Sequence, residues 1–173
     1  MTRSTHEAQS QRQELGDSGT AEQDHPGVIA PPPLIYIVGL AVGFGLEALL
    51  PSASLPPALS WSLGGALLLA GLVLSVSFFR AFRRADTPAN VYKATTVIVT
   101  TGPYRVSRHP AYLALALIYV AITFLTGALW TLVPLPAVLI VVDRGLIAPE
   151  ERYLERKFGH EYVRYEARTR RWL

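Results

Sequence analysis

Two long stretches of this sequence, Leu34 to Phe79 and Pro110 to Asp143, contain no lysine or arginine. All 16 basic residues lie outside them in three blocks: Arg3 and Arg12; Arg80, Arg83, Arg84, Lys93, Arg105 and Arg108; and eight between Arg144 and Arg171. Water surrounds a soluble domain, which therefore spreads charge over all its outer faces. A chain that withholds charge from such long segments faces a solvent that rejects ions, the hydrocarbon of a bilayer. The length, 173 residues, fits one domain, and half of the chain is apolar. The formal charge of +3 is modest, and the basic blocks flank apolar runs, where they set topology and meet anionic head groups. Membrane lipids, not nucleic acid, are the expected partners. The chain has no cysteine, so disulfides, thiolate catalysis and zinc knuckles are excluded. Two of its four histidines, His6 and His25, fall in a polar N-terminal stretch, and no metal site is expected from His109 and His160 alone.

Residues 1–30 are rich in Gln, Ser, Thr and Glu and predict a disordered tail without the apolar core of a signal peptide. The remainder, 31–173, reads as one membrane domain, an all-α polytopic bundle of about four spans. The first runs from Leu34 to Leu50 behind Pro31, Pro32 and Pro33, and an uncharged turn at Pro51, Pro56 and Pro57 leads to the second, Ala58 to Phe79. Gly64, Gly65 and Gly71 along the second span would let another helix approach closely. A loop at 80–109 follows with six basic residues against the single acid Asp86. Its β-branched middle, Thr95 to Thr101, predicts extended chain. Pro110 suits the first turn of a third span ending near Thr126, with Ser107 to His109 capping it. Gly127 turns the chain into a fourth span, 128–147, which Pro134 and Pro136 are expected to kink.

The turns at 51–57 and 127 carry no Lys or Arg, so the positive-inside rule places the basic loop and the tail from 148 in the cytoplasm. The tail predicts a pair of interfacial helices. The first has Pro149 at its start, Glu150 and Glu151 in its first turn and Gly159 as its stop. Leu154 and Phe158 share one face of this helix, and Tyr162 and Tyr165 share a face of the next.

This side of the membrane concentrates Tyr104, Arg105, Arg108, His109, Tyr112, Arg144, Glu150, Glu151, Tyr162 and Tyr165. Each has an ordinary structural use when taken alone. His109 can cap a helix, Arg105 and Arg108 can meet lipid phosphates, and Glu150 and Glu151 can complement a helix dipole, worth about 0.3–1 kcal/mol each. Glu47 is an acid within the first span and so a functional suspect, but it lies a turn from Pro51, and an interfacial structural role is expected for it.

Two stretches together carry more. Thr101-Gly102-Pro103-Tyr104-Arg105-Val106-Ser107-Arg108-His109-Pro110-Ala111-Tyr112-Leu113 is followed some forty residues later by Glu150-Glu151-Arg152-Tyr153-Leu154 and Phe158-Gly159-His160-Glu161-Tyr162-Val163-Arg164-Tyr165. The ordered pair, over roughly residues 80–173, resembles the isoprenylcysteine carboxyl methyltransferase and phospholipid methyltransferase superfamily. The resemblance implies S-adenosylmethionine in a pocket at the cytoplasmic face, roofed by the C-terminal segment, with a lipophilic substrate arriving from the bilayer. Carried over by motif position, cofactor contacts fall on Thr96, Val97, Ile98, Val99, Tyr104, His109, Pro110, Ala111, Tyr112 and Glu150, with Glu151, Tyr162 and Tyr165 added from the same cluster. Arg108 and Arg144 are the candidates for handling the substrate's polar group, although the spacing of Arg144 departs from the family pattern. Ala114 stands where a glycine is common, and the tail reads Arg168-Thr169-Arg170-Arg171-Trp172-Leu173 in place of an Arg-Val-Pro step.

A methyl group on a sulfonium is already activated, so transfer demands placement of a nucleophile more than an acid or base. Glu150 suits an ammonium, an arginine suits a substrate anion, the helix start at Pro110 offers backbone donors, and a tyrosine can face a sulfonium. The expected function is methyl transfer from S-adenosylmethionine to a membrane-embedded carboxylate, thiol or amine, at a bacterial inner membrane. A nicotinamide-dependent membrane reductase and a non-catalytic module of the same fold are the alternatives.

Overall fold

The computed structural model describes residues 30–53, 55–84 and 98–172, and every regular element among them is helical. Helix α1 spans Pro32–Leu49, α2 Pro57–Arg84, α3 Pro110–Thr126, α4 Leu135–Val142, α5 Ala148–Phe158 and α6 His160–Glu166. Tight turns occupy Gly102–Arg105 and Leu129–Leu132, and a wide π turn, Asp143–Ile147, joins α4 to α5. The expected tail at 1–30 lies, but for Ala30, outside the described residues, as do Thr95, Thr96 and Val97.

Proline opens both outer helices, where its missing N–H sacrifices no bond. The 18 residues of α1 make a rod of about 27 Å, close to a hydrocarbon core of about 30 Å. At 28 residues, α2 reaches about 42 Å, and its surplus carries Arg80, Arg83 and Arg84 past the apolar zone. A third rod runs unbroken from Leu129 to Phe158, so three helices are long and apolar enough to cross. Helix α3 is shorter, with 17 residues, and sits at the centre, burying Ala114, Tyr119, Ala121 and Thr123. The outer helices bury little. Trp61 is 67% exposed and Leu69 64% exposed on α2, an arrangement that is stable only where lipid replaces water. The chain is an all-α membrane bundle.

With lipid no less apolar than a leucine, helices in a membrane associate by close backbone approach and by polar contacts. A Cβ at Gly64 would lie 2.7 Å from Leu125 Cγ, and one at Gly71 would lie 2.8 Å from Ile118 Cγ1 and 3.2 Å from the carbonyl oxygen of Ala114. These two glycines seat α2 on α3, and Gly71 makes the room that Ala114 needs. Gly65 faces open space instead. Two glycines that the sequence did not single out do the same for α1: a Cβ at Gly39 would run into Val138 and Tyr119, and one at Gly43 into the backbone of Thr131. The Tyr119 hydroxyl donates to the Thr131 carbonyl at 2.6 Å, and the Thr123 and Thr131 hydroxyls pair at 2.6 Å, so the buried polar groups of the core satisfy one another.

The fourth span departs from expectation. Pro134 and Pro136 lie within the rod where the tight turn Leu129–Leu132 passes into α4, Pro134 just ahead of α4 and Pro136 in its first turn. Pro149 does not start a separate helix. It lies inside the unbroken rod, which keeps right-handed helical geometry through Ile147 and Ala148. A proline there has no N–H for the preceding turn and its ring crowds that turn's carbonyl. The wide turn at Asp143–Ile147 lies just ahead of it, where a widened ladder absorbs both problems. Glu150 and Glu151 therefore do not sit at a free helix N-terminus, and the dipole explanation for them loses its premise. Gly127 (φ 73°) and Gly159 (φ 51°) end their helices as expected, in conformations with positive φ that glycine adopts without strain.

Candidate functional site

Where α2, α3 and α5 reach the basic end of the bundle, α6 folds back over them and the described residues enclose a hollow of about 50 Å³. Ile98, Val99 and Tyr104 approach from the segment after α2, Arg108 and His109 from the lead-in to α3, Glu150 and Leu154 from α5, Tyr162 and Tyr165 from α6, and Phe82 from the end of α2. The two sequence-distant motifs thus meet in one place. The expected extended stretch is borne out where it is described: Ile98 to Thr100 adopt no helix, and Thr101 has extended dihedrals.

Among the described residues Glu150 makes one firm bond, with the Tyr112 hydroxyl donating to its Oε2 at 2.9 Å. The same oxygen is 3.8 Å from His109 Nδ1. No arginine or lysine among the described residues pairs with this carboxylate, so it keeps lone pairs to spare. Tyr104 rests its ring 5.8 Å from that of Phe82 and 6.3 Å from that of Phe78, so the wall beside the acid is aromatic. Burial, helped by the negative charge of Glu150, holds the Tyr104 phenol well above its ordinary pKa.

Glu151 is the opposite case. Its side chain is 9% exposed; it lies 3.2 Å from His109 Nε2, accepts from Arg171 Nε at 3.3 Å and again from the Arg171 Nη2, and has Arg108 Nη1 at 3.4 Å. Burial alone would raise its pKa, but bonds from His109 and Arg171 and the positive charge around it prevail and bring it down to about 2. Arg108 bridges Glu151 to Glu166 on α6. Burial works against its charge, yet the two carboxylates hold the guanidinium more firmly protonated than usual. Two buried polar atoms, Arg108 Nε and Tyr162 Oη, make no well-formed hydrogen bond among the described residues. Burial raises the Tyr162 phenol strongly and moves that of Tyr165 up to about 12, so both stay protonated donors near neutrality.

The roof is fastened at several points. The Tyr165 hydroxyl donates to the Tyr104 carbonyl at 2.8 Å, Arg108 pairs with Glu166, and the chain beyond α6 runs beside the lead-in to α3. There the Arg108 N–H donates to the Arg170 carbonyl at 2.9 Å and the Ser107 hydroxyl to the Arg171 carbonyl at 3.2 Å. Arg171 and Trp172 both reach Asp143 in the π turn, at 3.5 and 3.2 Å. This sets the path of the tail without the Arg-Val-Pro step.

Of the residues singled out from sequence, the hollow gathers Ile98, Val99, Tyr104, Arg108, His109, Glu150, Tyr162 and Tyr165. Tyr112 and Glu151 stand directly behind this wall through their bonds to Glu150 and His109. Pro110 and Ala111 shape the helix start without lining the space; contrary to expectation no side chain among the described residues caps α3, and the Ser107 hydroxyl accepts instead from the His109 N–H ahead of the helix at 3.2 Å. Arg144 is not brought to the site: it is exposed on the π turn, whose buried side presents Gly145 to Ile147. Thr96 and Val97 lie outside the described residues. Sequence reasoning missed Asp143, Glu166, Arg171 and Trp172. Their only signal was an excess of charge and one indole at the end of the chain, which does not identify a partner.

The sequence matches the phospholipid methyltransferase family over residues 59–161. A curated relative, an uncharacterized protein of Haemophilus influenzae, is 44% identical over 62 residues, which is 36% of this chain and 98% of the relative. No solved structure matches.

Proposed function

This chain belongs to the phospholipid methyltransferase family, and from that premise we propose that it transfers a methyl group from S-adenosylmethionine to a lipophilic acceptor held in the membrane. The supporting observation is Glu150: an acid with spare lone pairs, unpaired by Arg or Lys among the described residues, beside an aromatic wall. A carboxylate in that state suits an ammonium, and the neighbouring rings suit a sulfonium. The methyl donor carries both groups and supplies, when bound, a carbon already activated toward nucleophiles. Glu150 and Tyr104 would hold it, with Ile98, Val99, His109, Tyr162 and Tyr165 completing the wall and Tyr112 fixing the carboxylate.

The hollow is open on one side, and α6 with the tail roofs it through the Tyr165–Tyr104 and Arg108–Glu166 contacts. Gly159, with a positive φ and no neighbour near its Cβ position, is the natural hinge for this roof. Arg108 and Tyr162 offer an acceptor's polar group two buried donor atoms. Arg144, exposed on the π turn, has the charge to meet a substrate anion at the membrane surface. The positive-inside rule assigns this end of the bundle to the cytoplasm, and a bacterial inner membrane is the proposed location.

Calorimetry on detergent-purified protein with S-adenosylhomocysteine is the direct test, with saturable 1:1 binding expected. Absence of binding to folded protein overturns the proposal, and thermal protection by NADPH instead favours a nicotinamide-dependent reductase.

A further inference from the structure

The groups around the His109 imidazole are unequal. Glu151 from α5 faces Nε2 at 3.2 Å, Glu150 from the same helix faces Nδ1 at 3.8 Å, and the Tyr112 ring lies 5.7 Å away across the helix start. Arg108 and Arg171 bear on the ring through Glu151. Held by two guanidinium groups, Glu151 stays ionised across the neutral range, and an ionised carboxylate accepts hydrogen bonds without donating any. The nitrogen facing it must therefore carry the hydrogen. In a neutral imidazole this leaves the lone pair on Nδ1, on the side of Glu150 and the hollow. The second guanidinium comes from the very end of the chain, fixed by the pairing of Arg170 with Ser107 and Arg108 and by the contacts of Arg171 and Trp172 with Asp143.

We propose that Arg171 is a positioning residue: by holding Glu151 it fixes His109 as the Nε2–H tautomer and leaves Nδ1 open toward the hollow as a proton acceptor. The chemical use of that atom rests on the methyl-transfer proposal, but its test does not. For a nucleophile that bears a proton, attack on a methylsulfonium forms the nucleophile–carbon bond, returns the broken carbon–sulfur pair to sulfur and releases one proton. Nδ1 takes that proton, and the imidazolium so formed is bonded to Glu151 and faces Glu150. The acceptors served are those that shed a proton, such as an amine or a thiol. A carboxylate, already ionised, has no need of this atom.

The test is nitrogen NMR on full-length, ¹⁵N-histidine-labelled protein in detergent, with His6→Gln, His25→Gln and His160→Gln leaving His109 as the single histidine. The expected spectrum of the neutral ring shows a protonated Nε2 and an unprotonated Nδ1. Arg171→Gln is expected to turn the single tautomer into a mixture, with helical circular dichroism retained, and Arg171→Lys to restore it. Where R171Q lowers the yield of folded protein, Glu151→Gln carries the same test, because an amide accepts and donates alike. A proton on Nδ1 in the parent spectrum, or a spectrum unchanged by R171Q, overturns the proposal. S-adenosylhomocysteine titration of the same samples reads the methyl-transfer proposal separately, since the tautomer is measured without ligand.

Discussion

Each end of the bundle holds a half-buried carboxylate, and the two acids have different fates. At the end away from the basic loop, Glu47 takes the Ser52 N–H at 2.7 Å and hydroxyl at 2.8 Å on Oε1, and the Trp130 N–H at 3.1 Å on Oε2. The Ser52 hydroxyl also meets the backbone at Gly127 and Leu129. One side chain thus staples the α1–α2 turn to the turn leading into α4, and its bonding capacity is used up within the protein. At the basic end, Glu150 is fixed by one tyrosine and otherwise faces a hollow. A saturated polar group is a fastening, whereas an anchored but unsaturated one is poised for a ligand. This contrast separates structure from function more sharply than the presence of an acid in an apolar chain.

The contrast is broken or sharpened by a graded set of substitutions. The largest effect is expected from Glu150→Ala, which should weaken S-adenosylhomocysteine binding by about 100-fold in calorimetry, the worth of a buried charge-assisted bond, with little change in melting temperature. Glu47→Ala should do the reverse. It leaves the Ser52 and Trp130 N–H groups without their acceptor and should lower stability in chemical denaturation, with ligand affinity unchanged. If both variants lose binding and stability together, the two ends are not functionally distinct.

Acid provides a smaller effect at the basic end. The folded-state pKa of Glu151 lies near 2, below its ordinary value of 4.5, so its contribution is complete above the ordinary value and is lost as the pH falls toward the folded one. Melting measured from about pH 5 to about pH 3 should show a loss on the order of 1–2 kcal/mol, which Glu151→Gln removes from the pH dependence. A last comparison distinguishes adjacent glycines on α2. Gly64→Ala drives a methyl into Leu125 and should cost about 1–3 kcal/mol, whereas Gly65→Ala meets nothing and should stay within about 1 kcal/mol of the parent.

Much of this was legible in the chain itself. The charge-free runs gave the spans, Gly127 and Gly159 gave two helix ends, and the motifs around His109 and Glu150 gave most of the wall. The structural role of Glu47 followed from its distance to Pro51. Pro149 misled because a proline behind an apolar run ordinarily marks a helix start. Only the wide turn at Asp143–Ile147 shows that the helix continues through it. Arg144 stands exposed on the π turn and not in the hollow, since sequence distance to Glu150 says nothing about which side of a helical rod a residue occupies.

By itself, then, the sequence determined where the chain meets lipid, because exclusion of charge from hydrocarbon acts on each residue wherever it is placed. The partners of the charges at the basic end were decided by tertiary structure alone. An ion pair depends on positions that the fold brings within a few ångströms, and Arg171 meets Glu151 across 20 residues of chain and Glu151 meets His109 across 42. No local pattern encodes a contact of that kind.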